Sequence, residues 1–409
     1  MRHISRLTLL FSLLVQTSHA EERNWPGWRG PRGDGSTLNK GLPTTWSSTE
    51  NIVWKAPVDG LGHASPIIWG DRLFTVSAIQ ETSERILICL DRENGKRLWQ
   101  KTVLKSPFEK IHRLNSRASS TPVTDGEHVY VSFLDKDQMY IAAYDFDGKR
   151  LWEKRPGIFS SVHGYCSSPI LWKEKLIING DHDGDAYIVA LDKTNGKTLW
   201  KTMRPNKTRS YCTPIIRNID GRNQMVLSGS KSVASYDPDT GEQHWVIDGP
   251  TEQFVASLVY NGDLLFMTSG YPELHMLAID PRGEGNVTQT HVKWRTTKGC
   301  SYVPSPISIG PYFLVVSDKG FASCFDAKTG KRHWMQRIGK RFSASLISSN
   351  GLVYFLSDYG YTTVVKAGIK YEAVAVNKLG EKTYGSPAVS GSQIFIRGFD
   401  HIYCIGNGE

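Results

Sequence analysis

The chain of 409 residues has six cysteines, and none forms a Cys-x-x-Cys or Cys-x-x-Cys-His pair. Zinc-ribbon, thioredoxin-like and covalent-haem chemistry are therefore not expected. No phosphate loop, no Ser-His-Asp order and no His-x-x-x-His pair can be assembled, so familiar hydrolase and metalloprotease classes find no support. Long apolar runs are missing as well. The run Leu7 to Val15 is short of the roughly 20 residues that span a bilayer. With Arg2 and Arg6 before it and Ser18-His19-Ala20 after it, it reads as an export signal over residues 1–20. No transmembrane segment is expected, and no Cys stands directly after Ala20 to carry a lipid anchor. Once Arg2 and Arg6 are removed with the signal, 47 of the 49 Lys and Arg remain against 40 Asp and Glu. That excess is small and spread over many turns, so nucleic acid is not an expected partner. The reading is an exported monomer, periplasmic or secreted.

What the chain does have is a repeat. Asp-x-x-x-Gly-x-x-x-Trp occurs at Asp91 to Trp99, Asp192 to Trp200, Asp237 to Trp245 and Asp326 to Trp334. A shorter copy runs Asp145 to Trp152, and one with an insertion runs Asp280 to Trp294. Self-similarity at this spacing in a strand-rich chain means a propeller. Eight small-residue openings agree: HASPII, SSTPVT, CSSPIL, YCTPII, VASLVY, VPSPIS, SASLIS and YGSPAV. Each precedes a turn and a short strand such as RLFTVS or HVYVSF, then a third strand ending near the repeat's Asp. These runs are read as alternating strands joined by tight hairpins.

The fold class is thus all-β, an eight-bladed propeller of four-stranded antiparallel blades. The seventh copy, Glu372 to Lys382, lacks Trp. The eighth has only three strands, and residues 51–55 (Asn-Ile-Val-Trp-Lys) look like its missing outer strand. Pairing them would close the ring and leave only short, protected edges. The domains read as a signal (1–20), a Gly/Pro/Trp arm (21–50) and the propeller (51–409). Cys89, Cys324 and Cys404 occupy equivalent slots, filled by Ala or Ser in other copies, which marks them as small buried residues. The pairing of Cys166, Cys212 and Cys300 is left open.

The units at 190–200, 235–245 and 324–334 resemble the tryptophan-docking repeat of pyrroloquinoline-quinone-type propellers. The resemblance covers 51–409, and the Trp25-Pro-Gly-Trp28-Arg-Gly-Pro31 arm is similar to exported quinone-repeat or outer-membrane-assembly propellers. It implies one of two functions. One is a quinone-dependent alcohol or sugar oxidoreductase with calcium, a catalytic Asp and an adjacent Cys pair, which this chain lacks. The other is a non-catalytic binding scaffold, expected without cofactor. A carbohydrate- or polymer-binding exported protein is a further alternative.

Two constellations stand out. Asp181-His182-Asp183-Gly184-Asp185 has the alternate carboxylates that suit a hard cation. Position six is Ala186 rather than Gly and strands flank it, so it reads as an acidic hairpin tip and no metal ligand is assigned. The residues leading into the blade openings are His63, Arg117, His163 with Tyr165, Arg209 with Tyr211, Gln253, Tyr302, Arg341 and Tyr384. They are expected to point into the channel mouth as a positive funnel for a peptide or a polar anionic ligand. Arg117, Arg209 and Arg341 would supply the charge, and His63 and His163 would add to it as pH falls through about 6.5. His112 and Arg113, in the long segment before Arg117, are placed on the same face.

Overall fold

A computed structural model describes residues 23–407, so the expected export signal over 1–20 lies outside the described residues. The elements are strands, grouped into eight sheets of neighbouring segments: 67–105, 123–154, 170–203, 215–248, 259–296, 307–337, 347–378 and 388–405. Each of the first seven supplies a four-stranded antiparallel blade and the eighth supplies three strands of one, and we number them 1 to 8 in this order. No helix among the described residues is long and apolar enough to cross a membrane. The middle strands, such as Glu84–Asp91 and Gln138–Asp145, are buried on both faces, and only their end residues reach solvent. This corrects the expectation of alternation. A blade lies between two others, so its central strands read as continuous apolar runs. The cores accordingly sit between blades, as where Phe74 of blade 1 meets Phe146 of blade 2 with ring centroids 5.0 Å apart.

Blade 8 takes its outer strand from the other end of the chain. Ile52–Pro57 pairs antiparallel with His401–Ile405, with Trp54 opposite Cys404 and Pro57 opposite His401. The strand extends beyond the expected 51–55, to Pro57. Trp54 Nε1 donates to the Arg92 carbonyl in the Gly turn of blade 1 at 3.0 Å. The same step recurs between blades, from Trp99 to Phe146, Trp152 to Lys193, Trp294 to Ala327 and Trp334 to Gly368, at 2.8–3.0 Å. The repeat's Gly is required twice over. Gly95 has a φ of 74°, and a Cβ there would stand 2.6 Å from the Trp54 ring.

The seventh copy lacks Trp for a physical reason. Blade 8 is completed by a strand from elsewhere in the chain and offers no Gly turn to receive an indole. The arm fills the gap. Trp46, 5% exposed, stacks on Tyr354 of blade 7, and its backbone N–H donates to Asn377 Oδ1 at 2.9 Å. The insertion in the blade 5 copy forms Gly285–Asn286, a fifth strand parallel to the outer strand of blade 4 that covers Trp245.

The small-residue openings form a belt. All eight carry Ser or Thr at one slot, and from blade 1 to blade 7 the backbone N–H there donates to the next blade's hydroxyl. The series runs Ser65 to Thr121, Ser168, Thr213, Ser257, Ser305, Ser345 and Ser386, with distances of 2.9–3.1 Å. It stops at the seam of blades 8 and 1, where the Ser65 hydroxyl has no partner among the described residues. There Arg397, 1% exposed, reaches from blade 8 to Val76 O, Thr75 Oγ1 and Ser77 Oγ at 2.6–2.9 Å.

The belt yields a graded prediction. Thr213→Val strips the acceptor from a buried N–H and is expected to cost about 1–3 kcal/mol in urea unfolding. Ser65→Ala, at the open seam, should cost under about 0.5 kcal/mol by the same measure. Equal losses at the two positions would show that the belt bonds contribute nothing of their own.

Candidate binding cavity

The openings run into the innermost strands, so the belt rings the channel and the residues before it form one rim. Beyond the opposite ends of the inner strands lies the arm, hydrogen-bonded to blade after blade. Trp25 pairs with Ile68 of blade 1, Thr124 of blade 2 donates to Pro26 O, and Arg29 donates to Pro306 O of blade 6. Arg217 of blade 4 donates to Arg32 O, and Ser36–Thr37 forms a parallel bridge to Ser348–Ser349 of blade 7. The arm therefore crosses that end of the channel. Trp28, half-buried, is its contribution to the cavity wall. The result is a blind cavity of about 450 Å³ between the rim and the arm.

Several expected site residues line it: His63, His163, Tyr211, Tyr302, Arg341 and Tyr384, together with His112 and Arg113. Four do not, and these are corrections. Arg117 lies over the Phe108 ring at 4.6 Å and donates to Gln80 and to Glu109 O, because the long segment before it folds back on itself. Arg209 is held by both oxygens of Asp183 at 2.9 and 3.0 Å. Tyr165 is 5% exposed and packs edge-on against Phe159 in the core between blades 2 and 3. Gln253 is 3% exposed and sits behind the wall, donating to the Tyr302 hydroxyl at 2.8 Å.

The histidine expectation is corrected too. Burial, helped by Arg397, pushes His63 down to about 4. Burial also lowers His163, with Arg209 and His112 acting in the same direction. Both shifts disfavour the charged ring, opposite to the gain of charge expected of them. The rings serve as aromatic surfaces, His63 lying 4.4 Å from Tyr384 and His163 5.8 Å from Tyr211. Tyr211 shares a 2.6 Å hydrogen bond with Ser161. Burial pushes the Cys166 thiol up to about 12, so it lines the cavity as an un-ionised group. All six cysteines are free.

The acidic hairpin holds three ion pairs in place of a metal site. Asp181 meets Arg204 at 2.9 Å, Asp183 meets Arg209, and Asp185 meets Lys207 at 2.8 Å. Asp181 is wholly buried, against the expectation of a solvent-facing tip. Among the described residues no three His, Cys, Asp or Glu side chains are placed to hold an ion.

Two wall residues escaped the sequence reading: Asp318 and Asp358. Both sit in Ser-Asp-x-Gly turns after the second strands of blades 6 and 7, at 317–320 and 357–360. The serine carbonyl accepts from the glycine N–H at 2.8 and 2.9 Å, and the serine hydroxyl accepts from the residue after the glycine. Gly360 has a φ of 74°, and a Cβ there would lie 2.0 Å from Glu381 O. Each turn thus fixes its Asp at the rim. Burial raises both carboxyls, Asp358 to about 6. The recurrence of this tetrapeptide in two adjacent blades was the available signal.

With this geometry in hand, the chain can be set beside known proteins. A family model described as outer membrane protein assembly factor BamB matches residues 39–154, 83–310 and 277–378. No curated protein sequence matches the chain. Among solved structures, BamB from Moraxella catarrhalis is 12% identical with a TM-score of 0.62, over 87% of this chain and 99% of that one. A quinohemoprotein alcohol dehydrogenase from Comamonas testosteroni is 12% identical with a TM-score of 0.65, over 95% and 82%. A europium-containing methanol dehydrogenase is 13% identical with a TM-score of 0.65, over 93% and 91%. At these identities the likeness is one of fold.

Proposed function

The chain belongs to the family of outer membrane protein assembly factor BamB, and from that premise we propose that it is a non-catalytic propeller that takes a polar ligand or peptide segment into its blind channel. The family description names the outer membrane, which accords with export after removal of residues 1–20. The observation that carries the reading is the cavity: about 450 Å³, closed below by Trp28 and walled by His63, His163, Tyr211, Tyr302 and Tyr384. Rings with a few polar groups among them are what a recognition pocket needs. Nothing at the wall is set up for nucleophilic attack, since no wall Ser or Cys is hydrogen-bonded to a His among the described residues.

The residues present do not suit the quinone alternative. A quinone that carries carboxylates would face Asp318 and Asp358, with Arg113 and Arg341 the arginines of the lining, and no adjacent Cys pair stands beside it. No step is assigned to such a group.

Three probes of one shape test the reading by calorimetry: phenylalanyl-alanine amide, its N-acetyl derivative, and N-acetyl-phenylalanyl-alanine as the free acid. At least one should bind, and Val255→Trp, which places bulk in the cavity, should lower that affinity by about tenfold or more. The melting temperature should stay within a few degrees. Binding by none, or binding indifferent to Val255→Trp, would contradict the proposal.

A further inference from the structure

Asp358 is 7% exposed, and only one of its oxygens is occupied. Oδ2 accepts the Ser343 hydroxyl at 3.1 Å, while Oδ1 is buried with no hydrogen-bond partner among the described residues. A buried carboxylate oxygen without a donor is unfavourable unless something supplies one. On the next blade, the Asp318 carboxylate accepts N–H bonds from Tyr302 at 2.9 Å and Val303 at 3.2 Å, both neutral donors. Neither carboxylate has a cationic partner within 4.0 Å among the described residues, and both line the same cavity. Arg341 shares the rim, but its tie to Asp358 is through its backbone carbonyl, which accepts the Asp358 N–H at 2.9 Å.

The rings beside this pair complete the picture. His63, Tyr384 and Phe399 form one cluster, with Tyr384 4.4 Å from His63 and 5.2 Å from Phe399. Ring faces attract a cation, and a neutral His63 does not repel one. The wall therefore sets two carboxyls without an ion-pair partner beside an aromatic panel, with Arg113 and Arg341 also in the lining, so it is not the purely positive funnel expected.

We propose that Asp358 and Asp318 form an acidic subsite of this cavity that receives the protonated amine of the ligand, as a free peptide N-terminus would present it. The assignment rests on the cavity being a binding site. The ammonium pairs with the Asp358 carboxylate and lies against Tyr384, with Asp318 supplying the second negative charge. Groups that bear on Asp358 are Asp318 of blade 6, Arg341 and Ser343 of its own blade's opening, and Tyr384 of blade 8. A carboxyl that ionises near pH 6 makes the site pH-dependent, because the ammonium binds the ionised form.

The same three probes separate this inference from the reading it rests on. Phenylalanyl-alanine amide should bind at least about tenfold more tightly than its N-acetyl derivative. Asp358→Asn, close in shape, should abolish that difference and leave the N-acetyl affinity unchanged. In the unaltered protein the amide's affinity should rise about tenfold from pH 5 to pH 7, while its amine stays largely protonated. That titration needs no variant and so does not depend on one folding. If the N-acetyl probes bind in the Val255-sensitive manner but the free amine gains nothing, the acidic subsite is wrong and the cavity stands. A preference for the amine that survives both Asp358→Asn and Asp318→Asn also overturns it. Binding by none of the probes removes both.

Discussion

A protein lacking residues 21–58 is expected to show no cooperative thermal transition. The deletion removes the outer strand of blade 8 and exposes the edge of His401–Ile405. It also removes Trp25, Trp46 and Trp54, which are 1%, 5% and 9% exposed. Losing one buried large aromatic typically costs about 3–5 kcal/mol, and a domain's whole stability is about 5–15 kcal/mol. Three such losses with an open edge exceed what the remaining blades can offset. Circular dichroism during heating is the check. A transition within a degree or two of the longer chain would mean that neither arm nor strand supports the ring.

The second large effect lies in the acidic hairpin. Asp181→Ala would leave Arg204, buried and 2.9 Å from the lost carboxylate, without its counter-charge. Arg204 would keep the Tyr236 hydroxyl and Gly229 O as acceptors, and these do not neutralise it. Breaking a buried pair from one side costs about 3–5 kcal/mol. Asp185→Ala, in the same hairpin but in an exposed pair with Lys207, should cost far less. Replacing both buried partners, Asp181→Leu with Arg204→Met, should recover much of the loss. Urea unfolding of the three proteins decides it; equal losses for Asp181→Ala and Asp185→Ala would show that burial of the first pair carries no weight.

The blade count was legible because a propeller repeats its local chemistry. Each Gly turn and each indole answers the same steric demand, so one pattern reports every blade. The Ser and Thr of the openings were visible as letters, yet their bonds join residues some 40 to 56 apart, and no local rule reveals them. The channel mouth was harder. Position before an opening places a residue at the rim but does not choose its rotamer or its neighbour. Arg341 stays at the cavity, whereas Asp183 draws Arg209 aside and Phe108 draws Arg117. The balance of charge at the mouth was therefore misjudged, since Asp318 and Asp358 stand there with Arg113 and Arg341. The carboxyls that decide it stand in Ser-Asp-x-Gly turns, which look like ordinary hairpin punctuation until two of them meet in space. The missing Trp of blade 7 is similar: its cause is a turn absent from blade 8, which only the assembled ring displays.

The most direct measurement is the anomalous difference map of crystals soaked in para-bromophenylalanyl-alanine amide. The bromine is expected inside the cavity between Trp28 and the rim, with the amine within hydrogen-bonding distance of Asp358. A single bromine site elsewhere, on the outer strands or on the far side of the arm, with the cavity empty, would contradict it.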